Sequence, residues 1–147
     1  MVLNRQRAVR LARRPLESFL RQVQDELGFQ RAGVTVCLVS DAEIARLNKI
    51  FRQKNGPTDV LSFPAVTRRR PVRPGSKAVK AGEYLGDIAI SPATARRYAK
   101  KHGRKLATEI RVLILHGVLH LLGYDHETDR GEMDRVEQKL RKRLGLA

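Results

Sequence analysis

The stretch from His116 to His126, HGVLHLLGYDH, decides how this chain is read. Its first half is apolar and carries His116 and His120 four residues apart. On a helix that spacing puts both imidazoles on one face, one turn apart. Gly123 is suited to a left-handed helix cap, after which the chain can fold back and bring His126 toward the other two. Three neutral imidazoles can hold Zn²⁺ and leave a fourth position for water, the layout of a catalytic rather than a structural zinc. Structural sites are closed and usually rich in cysteine, whereas this chain has only Cys37, far upstream. His116, His120 and His126 are therefore the candidate metal ligands.

Working outward, the patterns alternate between helix and strand. Pro15 opens a helix predicted to run to Gly28, with Leu16, Phe19, Leu20, Val23 and Leu27 as its apolar stripe. Val34 to Val39 reads as a buried strand, with Cys37 as a small hydrophobe. Ser40 and Glu43 form a capping-box pattern that starts a second helix, expected to turn Ile44, Leu47 and Phe51 inward. Strands are predicted over Thr58–Pro64 and Leu85–Ser91, and a third helix from Ser91-Pro92 to about Gly103. The helix bearing the first two histidines spans about Leu106 to Leu122. A last one, from about Asp129 to Leu144, presents Met133, Val136 and Leu140 inward. No element is assigned to the arginine-rich start, MVLNRQRAVRLARR.

At 147 residues and 41% hydrophobic content, the chain is expected to be one domain, residues 1–147, with a single core. No apolar run approaches the roughly 20 residues that span a membrane. A single cysteine excludes an internal disulfide and is compatible with a reducing, cytoplasmic setting. Thirty Lys and Arg against fifteen Asp and Glu give a formal charge of +15, which points to a polyanionic partner, nucleic acid before membrane. Six of the fifteen acids lie between Asp125 and Glu137, so the remainder is more basic still. Between Pro64 and Glu83, VTRRRPVRPGSKAVKAG carries six basic residues and reads as a long, mobile loop. It is either a solvated linker or a basic arm that touches phosphates.

The histidine stretch, together with FRQKNGPTDVLSFP (Phe51 to Pro64) and LGDIAIS (Leu85 to Ser91), resembles the YbeY family of zinc-dependent endoribonucleases. The resemblance extends from Asn4-Arg5-Gln6 to Met133 and Glu137. It implies an α+β fold, a single domain with a small mixed sheet of about four strands packed with about five helices. It also implies a single-strand-specific ribonuclease that matures the 3′ end of the small-subunit (16S) ribosomal RNA. Such an enzyme would act beside the small ribosomal subunit and in ribosome quality control. Matched by position, His116, His120 and His126 become ligands of one zinc ion, and Arg52 becomes the arginine required for activity. The chain departs from the pattern in the loop after Pro64, expected to be shorter and more acidic in relatives.

In chemical terms Arg52 and His116 are the catalytic candidates, and Arg52 and Lys54 the substrate-binding ones. A planar guanidinium suits two oxygens of one phosphate and can stabilise developing negative charge. Asp125 is positioned to orient an imidazole or to cap its turn, and Thr58 and Asp59 are turn or supporting groups. Tyr124 is expected to be buried in support of the histidines. Aromatic residues make up 5% of the chain, so phosphate contacts rather than broad base stacking should dominate binding. Two rivals remain. The spacing also matches the metzincin protease pattern HExxHxxGxxH, but Gly117 stands where those enzymes carry the glutamate base. Alternatively, zinc could simply hold the fold of a non-catalytic RNA-binding or ribosome-assembly factor.

Overall fold

A computed structural model describes residues 1–146. Strand β2 (Gly33–Leu38) alternates as a half-buried strand should, sending Val34, Val36 and Leu38 into the main core and Cys37 toward a smaller cluster on the opposite face. It is parallel to β1 (Val2–Asn4) on one side and to β4 (Tyr84–Ile90) on the other, and β3 (Val60–Pro64) closes the sheet antiparallel to β4. The order is β1-β2-β4-β3, a four-stranded mixed sheet.

Five helices complete the α+β domain: α1 (Arg13–Leu27), α2 (Asp41–Arg52), α3 (Pro92–Lys101), α4 (Leu106–Leu121) and α5 (Glu132–Arg143). Helix α4 is apolar almost all round, which marks a helix packed on every side. It contacts β3, β4, α1, α3 and α5. Ile110, Ile114, Leu115, Val118, Leu119 and Leu121 are essentially inaccessible, each contributing about 1.5–3 kcal/mol relative to exposure. From Arg111 to Leu121, only Arg111, His116 and His120 escape burial. The core thus surrounds the helix and leaves open the edge that carries the histidines.

Close approach of α4 to the sheet depends on Gly117. A Cβ there would lie 2.8 Å from both Cδ1 and Cγ2 of Ile88, a fully buried β4 residue with no room to move. Across the sheet, α2 covers the small cluster of Val39, Ile44, Leu61 and Ala89. Its N-cap is Ser40, whose hydroxyl accepts from the Glu43 amide at 3.1 Å. The Glu43 carboxylate does not return to close the box but pairs with Arg46. Asp41, in the first turn, accepts hydrogen bonds from the Ser91 and Thr94 hydroxyls and pairs with Arg97, tying α2 to the start of α3.

Three expectations are corrected. Strand β1 was not anticipated, because three residues in an arginine-rich lead are too short to display a period. Phe51 is not inward but 61% exposed, since α2 rides over the sheet edge and only its first turns meet the core. The basic segment after Pro64, expected as a long, mobile loop, is tied to the fold through its backbone. The Val72 amide bonds to the Leu122 carbonyl at 2.9 Å, Gly75 to Leu27 at 2.9 Å and Gly82 to Arg31 at 3.0 Å, and Val72 itself is buried. It is a strap laid over the ends of α1 and α4.

Two stability predictions follow from this packing. Gly117→Ala gains about 1 kcal/mol of helix propensity but overpacks against Ile88 at about 1–3 kcal/mol. Urea unfolding should show a net loss, and an unchanged midpoint would mean that the helix can back away from the sheet. Burial raises the Asp41 pKa, but hydrogen bonds from Ser91, Thr94 and Arg97 outweigh it and the net shift is downward. A carboxylate held below its unfolded pKa contributes stability that is present above about pH 4 and lost as pH falls through the lowered value. Asp41→Asn should therefore melt earlier than the parent at pH 7, and the gap should close as the pH is lowered below about 4.

Candidate metal centre

The turn after α4 is built by backbone hydrogen bonding before any ligand is considered. The amides of Gly123 and Tyr124 bond to the carbonyls of His120 and Leu119 at 3.0 and 3.1 Å, the two bonds of a Schellman cap. Gly123 holds φ at +96°, a conformation that costs glycine nothing. The cap swings the Tyr124 carbonyl back over the helix end, where it meets His120 Nδ1 at 2.9 Å. Asp125 then accepts the Glu127 amide through Oδ1 at 3.0 Å, so it caps the turn and does not touch an imidazole. From this turn His126 returns to the first two histidines.

The three rings form a triangle, with centroids 4.6 Å apart for His116–His120, 5.6 Å for His116–His126 and 5.7 Å for His120–His126. One nitrogen from each lies within 4.8 Å of the others. His116 Nε2 and His120 Nε2 are 3.1 Å apart. Two ligand bonds of about 2.0–2.1 Å at a tetrahedral angle place their donor atoms roughly 3.3 Å apart, so the separation fits a shared ion.

The partners of the other ring nitrogens make the same point. His116 Nδ1 is 2.7 Å from Glu137 Oε1, and His120 Nδ1 faces a carbonyl. Burial alone would raise the Glu137 pKa, but the His116 hydrogen bond and Arg141 hold it below the usual carboxylate range, so this partner is an acceptor. Arg141 reaches its other oxygen at 2.8 Å. Both Nδ1 atoms therefore carry the ring proton, and both Nε2 atoms present lone pairs to each other. Lone pairs at that separation repel unless a cation lies between them. Burial, and then the neighbouring His116, push the His120 pKa down, which favours the neutral imidazole that ligation requires.

The histidines open into a cavity of about 980 Å³ whose far wall is the end of α2 and strand β3. Arg52 and Lys54 both line it and are exposed, with no ion-pair partner among the described residues. They flank Gln53, the only non-glycine described residue with positive φ, at 57°. Beneath this turn the buried Asn48 donates through Nδ2 to the Gly56 carbonyl at 3.0 Å, fixing the path of the chain past the cavity. Thr58 and Asp59 line the same wall. Tyr124 is buried, as expected, its pKa raised by that burial and partly lowered by Arg73.

Sequence reasoning missed two contributors. Glu137 arrives from α5, twenty-one residues beyond the imidazole it orients. Its helical spacing to Arg141 was visible, but nothing local showed that the pair faces α4. Phe51 packs edge-on against Phe63, with ring centroids 5.1 Å apart, and both line the cavity.

A three-histidine group that could hold a metal ion, at the edge of an open cavity in a basic mixed α+β domain, defines the class of protein. Residues 2–145 match the family model described as "Endoribonuclease YbeY", and the chain belongs to the YbeY family. It is 44% identical over 141 residues to the Endoribonuclease YbeY of Solibacter usitatus, covering 95% of this chain and 85% of that protein. With that of Koribacter versatilis it shares 41% over 146 residues, covering 99% and 86%. Among solved structures, TM1509 from Thermotoga maritima superposes with a TM-score of 0.63 at 28% identity, covering 98% of this chain and 89% of that one.

Because Glu137 orients a ring and is not among the three groups that could hold an ion, Glu137→Gln protein, shown folded by circular dichroism, should bind divalent metal about 10–100-fold more weakly. Chelator competition measures this, and unchanged affinity would show that the carboxylate has no part in holding the site.

Proposed function

We propose that the chain is a zinc-dependent, single-strand-specific endoribonuclease that matures ribosomal RNA at the 3′ end of the 16S molecule. In this reading the whole chain, residues 1–147, works as one nuclease domain in the cytoplasm, beside the small ribosomal subunit and in ribosome quality control. The supporting observation is the convergence of His116, His120 and His126 on a cavity that also receives Arg52 and Lys54, in a chain of the YbeY family.

His116, His120 and His126 would hold the ion, with His116 and His120 kept in the ligating tautomer by Glu137 and the Tyr124 carbonyl. Held by three neutral imidazoles, a zinc ion would keep its +2 charge and would supply water activation near neutral pH and polarisation of a phosphoryl oxygen. Arg52 binds the scissile phosphate across the cavity and stabilises its growing negative charge. Lys54 takes a neighbouring phosphate as a point charge. Phe51, exposed at the rim, offers one ring face to an unpaired base, which a duplex could not supply.

The protease reading fails on Gly117. The position of the metzincin glutamate is buried against Ile88, where a carboxylate would fit neither sterically nor electrostatically.

The test is cleavage of an end-labelled single-stranded RNA, beside its duplex, by zinc-loaded protein. The single strand should be cut and the duplex spared. His120→Ala, shown folded by circular dichroism, should abolish cleavage while RNA binding largely survives. Arg52→Ala should lower kcat by about 10²–10³. A folded His120→Ala protein that cuts as fast as the parent would overturn the metal-dependent mechanism. RNA left intact in every lane would leave a binding factor in its place.

A further inference from the structure

The basic strap between β3 and β4 has a second groove that the metal site does not use. Its volume is about 540 Å³, and Arg68, Arg69, Arg70, Arg73 and Ser76 contribute to its lining. Val66, Thr67 and Arg68 line both this groove and the metal cavity, so the two are continuous.

The strap is hydrogen-bonded to the rest of the fold at three points. Its Val72 amide is fixed to the last turn of the histidine helix, and its Gly75 packs 3.2 Å from where a Cβ on Gly28 would stand, against the cap of α1. The arginines divide into two kinds. Arg68 is the inward one, 13% exposed and paired with Glu83 at 3.2 Å. Its Nε is buried without a partner, at the junction of the two hollows. Arg69, Arg70 and Arg73 are exposed and have no ion-pair partner among the described residues.

Three exposed positive charges within five residues give this groove a locally positive field. An extended anion with regularly spaced charges can engage all three at once. A linear acidic peptide would offer carboxylates on side chains of variable reach, whereas a single nucleic-acid strand offers one phosphate per nucleotide along its length. The groove runs into the cavity that would hold the scissile bond, so one strand can occupy both.

Resting on the nuclease reading above, we infer that Arg69, Arg70 and Arg73 form a phosphate track that binds the single-stranded RNA flanking the scissile bond. Arg68 marks the passage from track to metal cavity. The track lets the enzyme favour long unpaired tails over short fragments, because only a long strand fills both hollows.

The experiment is fluorescence-anisotropy binding of labelled single-stranded RNAs, long (twelve nucleotides) and short (four nucleotides), to metal-free protein, so that no cleavage intervenes. At about 0.1 M salt, R69A/R70A/R73A should bind the long strand at least about tenfold more weakly than the parent. The slope of log affinity on log salt should fall by about 2, at about 0.7 for each lost phosphate contact. Binding of the short strand should not change, and R69K/R70K/R73K should recover most of the loss. Equal loss for both strands would place the arginines at the metal cavity itself and overturn the track. Unchanged binding of the long strand would overturn it as well. Failure of the parent to cleave any RNA would count against the nuclease reading, while the length-dependent binding would still decide whether the track exists.

Discussion

The distance between α4 and the sheet controls the rest of the molecule. Gly117 lets the helix lie against Ile88, and that contact sets the rotation of α4 about its axis. With Gly117 turned to the sheet, Leu113 and Leu121 follow it inward, and His116 and His120 fall on the flank beside the cavity. The cap at Gly123 begins where the buried stretch ends, so the third histidine returns at the height of the other two. A bulkier residue at position 117 would disturb a packing contact and the aim of two imidazoles together.

Proton placement leaves two imidazole lone pairs facing each other, an arrangement that a cation could share. A carboxylate and a carbonyl face the two Nδ1 atoms, so neither ring can direct a proton at the other. A buried, ionised Glu137 with Arg141 behind it, an otherwise costly arrangement, keeps one imidazole oriented. Breaking such a network is expensive, but assembling it gains little stability by itself. Its return is geometric, since two donors are held at a ligand separation before any ion arrives.

What could be read from the sequence depended on how local the cause was. The first four helices, the caps at Ser40 and Ser91, the glycine turn and the three histidines all arise from residues within a few positions of each other, and they lie within a residue or two of where they were expected. The final helix began later than expected because Asp129 stays outside it, accepting the Gly131 and Met133 amides at 2.9 Å from each. Long-range causes were hidden. Strand β1 exists because β2 offers an edge, not because of its own pattern. Phe51 obeys the helical stripe of α2, yet it points past the sheet. The strap looked mobile from its prolines, glycines and charge, and only the carbonyls of Leu27, Arg31 and Leu122 show what holds it.

The same histidine spacing therefore serves different chemistry according to what stands between the ligands. In a metzincin helix the residue after the first histidine faces the substrate and supplies a general base. Here that residue faces the sheet, and the charged groups around the histidines come from elsewhere. Arg52 and Lys54 lie on one wall of the cavity, and Arg68 lies at its junction with the strap. Peptide hydrolysis begins from a neutral carbonyl and needs a proton acceptor beside the water. A phosphodiester arrives already charged, and its transition state gathers more charge on the oxygens that cations can reach. A cavity that receives Arg52, Lys54 and Arg68 and has no carboxylate at the base position thus suits the second substrate better than the first. The strongly positive chain around it attracts that polyanion before any specific contact forms.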